Sequence, residues 1–249
     1  MDKCTILGVH IAVTDMSETV SFLEDNILNL SGKYICVSNV HTCVTAYEDE
    51  AYKNIQNSAV LALPDGAPLS IVSRKRGYEA AQRVTGPDLM GVLFQHGNEG
   101  NGLRHFFYGG TEETLEQLKK ELQLKYPSLQ VVGLYSPPFR PLTKEEDKQV
   151  IEMINDAKPD IVWIGLGAPK QERWMYEHQN KIHGVMLGVG AGFDYHAGKI
   201  KRAPIWMQKM SLEWLARLIQ NPKRLWKRYL TTNTKFLWYT WKEYRAIGK

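Results

Sequence analysis

Few residues in this chain combine the type and the setting that chemistry needs, and Asp65 stands first among them. The run LALPDGAPL, residues 61–69, ends an apolar stretch in that one carboxylate, held between Pro64 and Gly66. Asp-Gly is a turn signal, and an Asp there can be spent on its own backbone. The alternative is a carboxylate presented at the C-terminal end of a parallel strand, where open α/β sheets place their ligands. Asn39 in VSNVHT and Arg83 in QRVTGPDLM complete the nearby polar set. Each reads either as a capping or surface residue or as a substrate contact.

The strongest local candidate for an anion site is IGLGAPKQE, residues 164–172. Small residues, Gly167 among them, close a strand, and a helix begins at about Pro169. Backbone N–H groups and the positive end of the helix dipole then face whatever lies above the strand. A phosphate suits that place, and so does a tight turn chosen for packing. The run is neither a GxxxxGK[ST] loop nor a complete dinucleotide fingerprint. One strand later GVGAGFDYHAG, residues 188–198, repeats the pattern. Asp194 at its tip can accept hydrogen bonds from a base or a ribose hydroxyl, or cap the next turn. Cys36, His41 and Cys43 match no zinc spacing. The chain has no Asp-x-Asp pair to hold a metal on a nucleotide diphosphate, which leaves cationic side chains and helix termini for phosphate work.

These residues need elements to position them. From residue 104 the chain alternates: RHFFYGG a strand, TEETLEQLKKELQLKY a helix capped by Thr111, and SLQVVGLY a strand. A helix follows from a Thr143/Glu146 capping box to the stop at Lys158-Pro159. DIVWIGLG is then a strand, APKQERWMYEHQN a helix and GVMLGVG a strand. Earlier, TILGVHIAV and KYICVSN read as single strands flanking the helix DMSETVSFLEDNIL. HTCVTAYEDEAYKNI is one helix, AVLAL a strand, and another helix starts near Pro68. Asp65 therefore sits at a strand-to-helix turn and not in a hairpin. Strands separated by helices of this length predict a Rossmann-like α/β domain over residues 1–200, a mostly parallel sheet with helices on both faces.

Residues 201–249 differ in kind. They hold twelve Lys or Arg against Glu213 and Glu243, a balance of +10, which leaves −6 on residues 1–200 out of the total of +4. The same segment carries Trp206, Trp214, Trp226, Trp238 and Trp241, five of the seven tryptophans. WMQKMSLEWLARLIQ and PKRLWKRYLTTNTKFLWYTWKEYR have helical spacing, with Pro222 in the first turn of the second. Arg217, Arg224 and Arg228 share a face if one helix continues through Pro222, and Lys223 and Lys227 widen the patch. Three readings compete for this basic helical appendage: a solvated face, a nucleic-acid surface, or a membrane-surface helix with rings at headgroup level. The tryptophans favour the membrane.

The length and the 43% hydrophobic content suit one substantial core plus an appendage. Three cysteines cannot all pair, and MDKCTILGVH lacks a signal-peptide pattern, so a reducing cytoplasm is expected. No run approaches the ~20 apolar residues of a membrane span.

Assembled in order, PDG at 64–66, RVTGPDLM at 83–90, FYGG at 107–110, GxxxPPF at 133–139, IGLGAPKQE, GVGAGFD at 188–194, and RAPxW followed by LEWLARL and NPKRLWKRY closely resemble the WecG/TagA/CpsF family, glycosyltransferase family 26. The resemblance covers nearly the whole chain. It implies a bacterial enzyme, peripheral on the inner face of the cell membrane, that moves a sugar from a UDP donor to a polyprenyl-diphosphate-linked sugar, with inversion and without metal or other cofactor. In the wall teichoic acid branch the donor is UDP-N-acetylmannosamine and the acceptor N-acetylglucosaminyl-diphosphoundecaprenol. UDP-N-acetylmannosaminuronate and UDP-glucose are alternative donors. Carried over by motif, Asp65 resembles the general base, and Asn39, Arg83 and Gln171 resemble active-site residues. Asp194 is similar to the residue that meets uracil, and the appendage arginines to those that meet diphosphate oxygens. From other classes, a nucleic-acid-binding protein with a basic arm and an inactive scaffold compete; the −6 body argues against the first, intact Asp65, Arg83 and Gln171 against the second. No nucleic acid is expected as partner, and assembly into a homo-oligomer stays open.

Overall fold

A computed structural model describes the chain except residues 205, 208, 209, 211, 248 and 249, and the side chains at 224, 228 and 247 also lie outside the described residues. Eight strands form one sheet in the order β1-β2-β4-β3-β8-β7-β5-β6. They are β1 (Lys3–Ile6), β2 (Val9–Ala12), β3 (Tyr34–Ser38), β4 (Leu61–Pro64), β5 (Arg104–Gly109), β6 (Gln130–Tyr135), β7 (Ile161–Gly165) and β8 (Val185–Gly188). Every pairing is parallel except β1 with β2. The mostly parallel sheet is as expected, but TILGVHIAV is a hairpin and not one strand. Leu7 and Gly8 both take positive φ, 50° and 81°, the geometry of a two-residue turn that matches strand twist. Leu7 is buried at the turn, which offsets the cost of its backbone.

Side chains alternate across the sheet and define two cores. Cys36, Ala62, Tyr108, Ile164 and Met186 enter one; Val37, Leu63, Phe107, Trp163 and Leu187 enter the other. The first core is covered by α2 (Val40–Glu48), α3 (Glu50–Ser58), α4 (Ala67–Lys75), α7 (Lys144–Asp156) and α8 (Lys170–His178). The second is covered by α1 (Met16–Asn26), α5 (Gly86–Asn98), α6 (Glu112–Lys125) and α9 (Gly192–His196). Burial on both faces is why these strands read as continuous apolar runs. The stretch HTCVTAYEDEAYKNI is two helices: the Asp49 backbone N–H donates to Thr45 at the end of α2, and its carboxylate accepts from the Tyr52 N–H to open α3.

The appendage forms α10 (Glu213–Gln220) and α11 (Pro222–Ile247). They are separate helices, because Asn221 leaves helical geometry ahead of Pro222. Phe236 of α11 is 3% exposed and belongs to the first core. Beside it Lys235 pairs with Glu48 of α2 at 2.7 Å, and the hydroxyl of Tyr239, which packs against the same core, donates to the same carboxylate. The appendage is thus packed on the body. Among the described residues no helix is long and apolar enough to cross a membrane.

Candidate active site

The C-terminal ends of β4, β3, β8 and β7, four neighbours in the sheet, open into one cavity of about 1070 Å³. This is the edge of an open α/β sheet where ligands bind. Asp65 continues β4 by one residue, its N–H donating to the Ser38 carbonyl at 2.7 Å. Gly66 then turns at φ 93° into α4, a helix with no side-chain cap. The Asp65 carboxylate is therefore not spent on its own turn. It is half-buried on the cavity wall, and burial pushes its pKa up to about 6. The Arg217 charge, a hydrogen bond with Asn39 and the Arg83 charge pull the other way, while Glu213 adds to the rise.

The capping reading of Asn39 holds, and the residue also lines the cavity. Its Oδ1 caps α2, accepting from the N–H groups of His41 at 3.0 Å and Thr42 at 3.2 Å. The amide therefore turns its donor end toward Asp65.

Arg83 lines the cavity but is tied to the appendage: its Nη1 donates to Glu213 Oε2 at 2.9 Å. Arg202 holds the other Glu213 oxygen at 3.1 Å and also pairs with Asp88. Burial alone would raise the Asp88 carboxyl. Hydrogen bonds from Thr85 and Arg202 and the nearby Arg83 outweigh it and hold the pKa below the ordinary value. Arg217 lines the same cavity, one turn after Glu213 on α10. Its guanidinium lies 5.7 Å from the Tyr195 ring centre and forms no ion pair among the described residues. The side chains of Arg224 and Arg228 lie outside the described residues.

The two glycine loops are joined by Gln171. Its Oε1 accepts from the backbone N–H groups of Gly167 at 3.2 Å and Gly190 at 3.0 Å, so its Nε2 faces Glu172 and donates at 2.8 Å. The Gly167 amide, in the run whose N–H groups the sequence offers to a phosphate or to a packing turn, is thus taken up by a side chain of the protein itself, as is the Gly190 amide. Gly188 lets this happen: a Cβ there would lie 2.9 Å from Gln171 Nε2. Glu172 is fully buried, and burial raises its pKa against hydrogen bonds from Gln171 and Tyr52. Tyr52 in turn accepts from Gln56, whose Oε1 receives the Ser38 hydroxyl at 2.6 Å. Two hydrogen-bonded runs, Ser38–Gln56–Tyr52 and Glu172–Gln171, thus lie between the end of β3 and the two glycine loops.

Asp194 does not line the cavity; its carbonyl accepts from Lys199 and Ile200 to end α9. The next residue, Tyr195, faces the cavity between Arg202 and Arg217. Tyr195, Arg202 and Glu213 carried no assigned role in the sequence. The signal for the last two lay in the RAPxW and LEWLARL runs, whose charges have meaning only once the appendage folds back. Cys36 and Cys43 are buried with raised pKa values, desolvation being the main cause. With His41 they form no metal-holding cluster among the described residues.

A carboxylate poised near neutrality, sharing a cavity at a sheet edge with a guanidinium that has no ion-pair partner among the described residues, defines a group-transfer site: it can accept a proton from a hydroxyl while a cation stabilises a departing anion. The model of the Glycosyl transferase WecG/TagA/CpsF family matches residues 4–248, and the chain belongs to that family. It is a glycosyltransferase. The chain is 29% identical over 233 residues to an N-acetylglucosaminyldiphosphoundecaprenol N-acetyl-beta-D-mannosaminyltransferase of Bacillus subtilis (strain 168), covering 93% of this chain and 88% of the relative. A Staphylococcus aureus (strain MW2) protein of the same name is 30% identical over 226 residues, 90% of this chain and 87% of the relative.

Proposed function

We propose that this glycosyltransferase moves N-acetylmannosamine from UDP-N-acetylmannosamine to N-acetylglucosaminyl-diphosphoundecaprenol in cell-wall polysaccharide synthesis, with inversion and without a metal. The observation that carries this reading is Asp65, a carboxylate with raised pKa on the wall of a cavity that Arg217 also lines. The acceptor hydroxyl loses its proton to Asp65 as its oxygen attacks the anomeric carbon. The bond from that carbon to the diphosphate breaks on the opposite face, and its electron pair leaves with UDP. Asn39 orients the carboxylate, and Arg217, with Arg83, meets the developing negative charge. General-base assistance of this kind supplies roughly 10²–10⁴-fold in rate. The relatives' names support the acceptor, and the cationic wall supports a diphosphate leaving group. UDP-N-acetylmannosaminuronate or UDP-glucose would use the same machinery.

The enzyme meets its acceptor as a peripheral protein on the inner face of the membrane. Trp206, Trp226 and Trp238 are more than half exposed on the basic appendage, where rings and cations suit an anionic interface.

The test is UDP release from a panel of UDP-sugars with a short-chain prenyl-diphosphate N-acetylglucosamine and EDTA present, comparing wild type with Asp65→Asn. Acceptor-dependent turnover of N-acetylmannosamine alone, reduced about a hundredfold or more in the variant, is the expected result. Turnover only with added divalent metal, or equal rates in the variant, would overturn the mechanism.

A further inference from the structure

The cavity around Asp65 is larger than one ligand requires. At about 1070 Å³ it sits above the range of roughly 300–1,000 Å³ for sites that engulf a single drug-sized molecule. Its wall also changes character along its length. On α11 the wall positions include Tyr229, Asn233, Leu237, Trp241 and Tyr244, spaced by three and four so that they share one face of the helix, with Phe236 at the edge of that face next to the core. From first to last they span about 22 Å at 1.5 Å per residue.

Two contacts fix the direction of this stripe. Tyr229 stands beside Arg217, the cation that faces Asp65. Glu243, at the other end, pairs with Arg76 at 2.6 Å, just past the last turn of α4. Since α4 begins two residues after Asp65, α4 and α11 run side by side from the carboxylate outward, and the cavity continues between them. The near end is polar, with Tyr229 and Asn233. Beyond it Ile71 and Val72 of α4 and Phe236, Leu237 and Trp241 of α11 line a mainly apolar corridor, with Thr240 among them and Lys75 and Arg76 at its outer end. Ile71, Leu237 and Trp241 are 38%, 69% and 46% exposed.

Resting on the reading given under Proposed function, we infer that this corridor binds the first isoprene units of the acceptor, with the diphosphate held at Arg217. A diphosphate ester of a hydrocarbon chain has this same order of polarity, and the corridor is continuous with the catalytic cavity. The protein then reads the chain by direct contact, in addition to whatever the bilayer contributes. Affinity should rise over the first isoprene units and level off once the chain passes Tyr244.

The test uses the full-length protein without membrane and water-soluble acceptors below their micelle concentration. These are N-acetylglucosaminyl diphosphate carrying a dimethylallyl, geranyl or farnesyl group. Binding is read by calorimetry in the presence of UDP, and turnover is measured in parallel. Burial of apolar groups predicts at least a tenfold fall in Kd from dimethylallyl to geranyl and again to farnesyl. Ile71→Ser and Leu237→Ser, both at exposed positions and checked for an unchanged melting temperature, should reduce the total gain to about threefold. Equal Kd values for the three acceptors in wild type, or an undiminished gradient in both variants, would overturn the corridor. A gradient without turnover of any UDP-sugar keeps the corridor and sinks the transfer reading. Turnover without a gradient does the reverse.

Discussion

Glu213 and Arg217 stand one turn apart on α10 and face the cavity in opposite ways. The Glu213 carboxylate is held by Arg83 at 2.9 Å and Arg202 at 3.1 Å, so it anchors the appendage to the body. Arg217, positioned by that anchor, keeps its guanidinium for the cavity. Glu213→Gln should lower transfer by about ten- to a hundredfold, the scale expected when a positioned group drifts by an ångström. Because Glu213 also raises the Asp65 pKa, the acid limb of the rate profile should move to lower pH in the variant. A limb that stays in place or moves up would break this linkage.

The pH dependence of wild type follows from Asp65. Its carboxylate must be ionised to accept a proton, so kcat/KM should rise through about pH 6 and then level off. The sign for stability is opposite. Between the unfolded pKa of about 3.9 and the folded value of about 6, the native state holds a proton that the unfolded chain has released. Stability therefore falls as pH rises through this window. Asp65→Asn should unfold about 1–2 kcal/mol later than wild type at pH 8, with the gap closing toward pH 4. Urea melts at the two pH values measure it, and a variant less stable than wild type at pH 8 contradicts the assignment.

Gln171 and Glu172 should respond differently to conservative change. Glu172→Gln keeps an acceptor for Gln171 Nε2 and removes a buried acid, so the two glycine loops stay joined and activity is retained. Glu172→Ala leaves that donor unpaired in the interior and should cost about 2–4 kcal/mol, with weaker UDP binding as Gln171 loosens. Gly188→Ala pushes on the same amide, its Cβ arriving 2.9 Å from Nε2. Thermal melts and UDP titration of the three variants decide; loss of UDP binding in Glu172→Gln would mean that the charge, and not the hydrogen bond, is what matters.

The sheet was legible because its strands are buried on both faces and punctuated by caps. Thr111 and Thr143 cap α6 and α7 as their spacing predicts. The Leu7-Gly8 turn was hidden because a buried leucine supplies one of its two positive-φ residues, a choice that local propensity disfavours. The break at Asp49 was hidden because one residue ends α2 and starts α3. In the site, the Asp65 setting was readable from strand-to-helix order alone. Tyr195 in place of Asp194 at the cavity was not, since a five-residue helix decides which neighbour points inward. Nor was the Arg83–Glu213 contact, which joins positions 130 residues apart.

The appendage makes the last prediction. Each Lys or Arg near an anionic leaflet contributes on the order of 1 kcal/mol, and residues 201–249 carry a balance of +10. Wild type should therefore sediment with vesicles containing anionic lipid and much less with neutral ones. Raising salt from 0.1 M to 1 M shortens the screening length from about 10 Å to about 3 Å and should release most of the protein. Trp226 and Trp238, 55% and 58% exposed and absent from the cavity wall, test the apolar share. Replacing both by Ala should weaken vesicle binding about tenfold or more at low salt, while turnover of a water-soluble acceptor is measured separately. Equal binding to neutral and anionic vesicles would remove the electrostatic argument. Tighter binding to RNA than to anionic vesicles would favour the nucleic-acid reading of this basic arm, because a phosphate backbone attracts the same cations but gives the exposed indoles no hydrocarbon to enter.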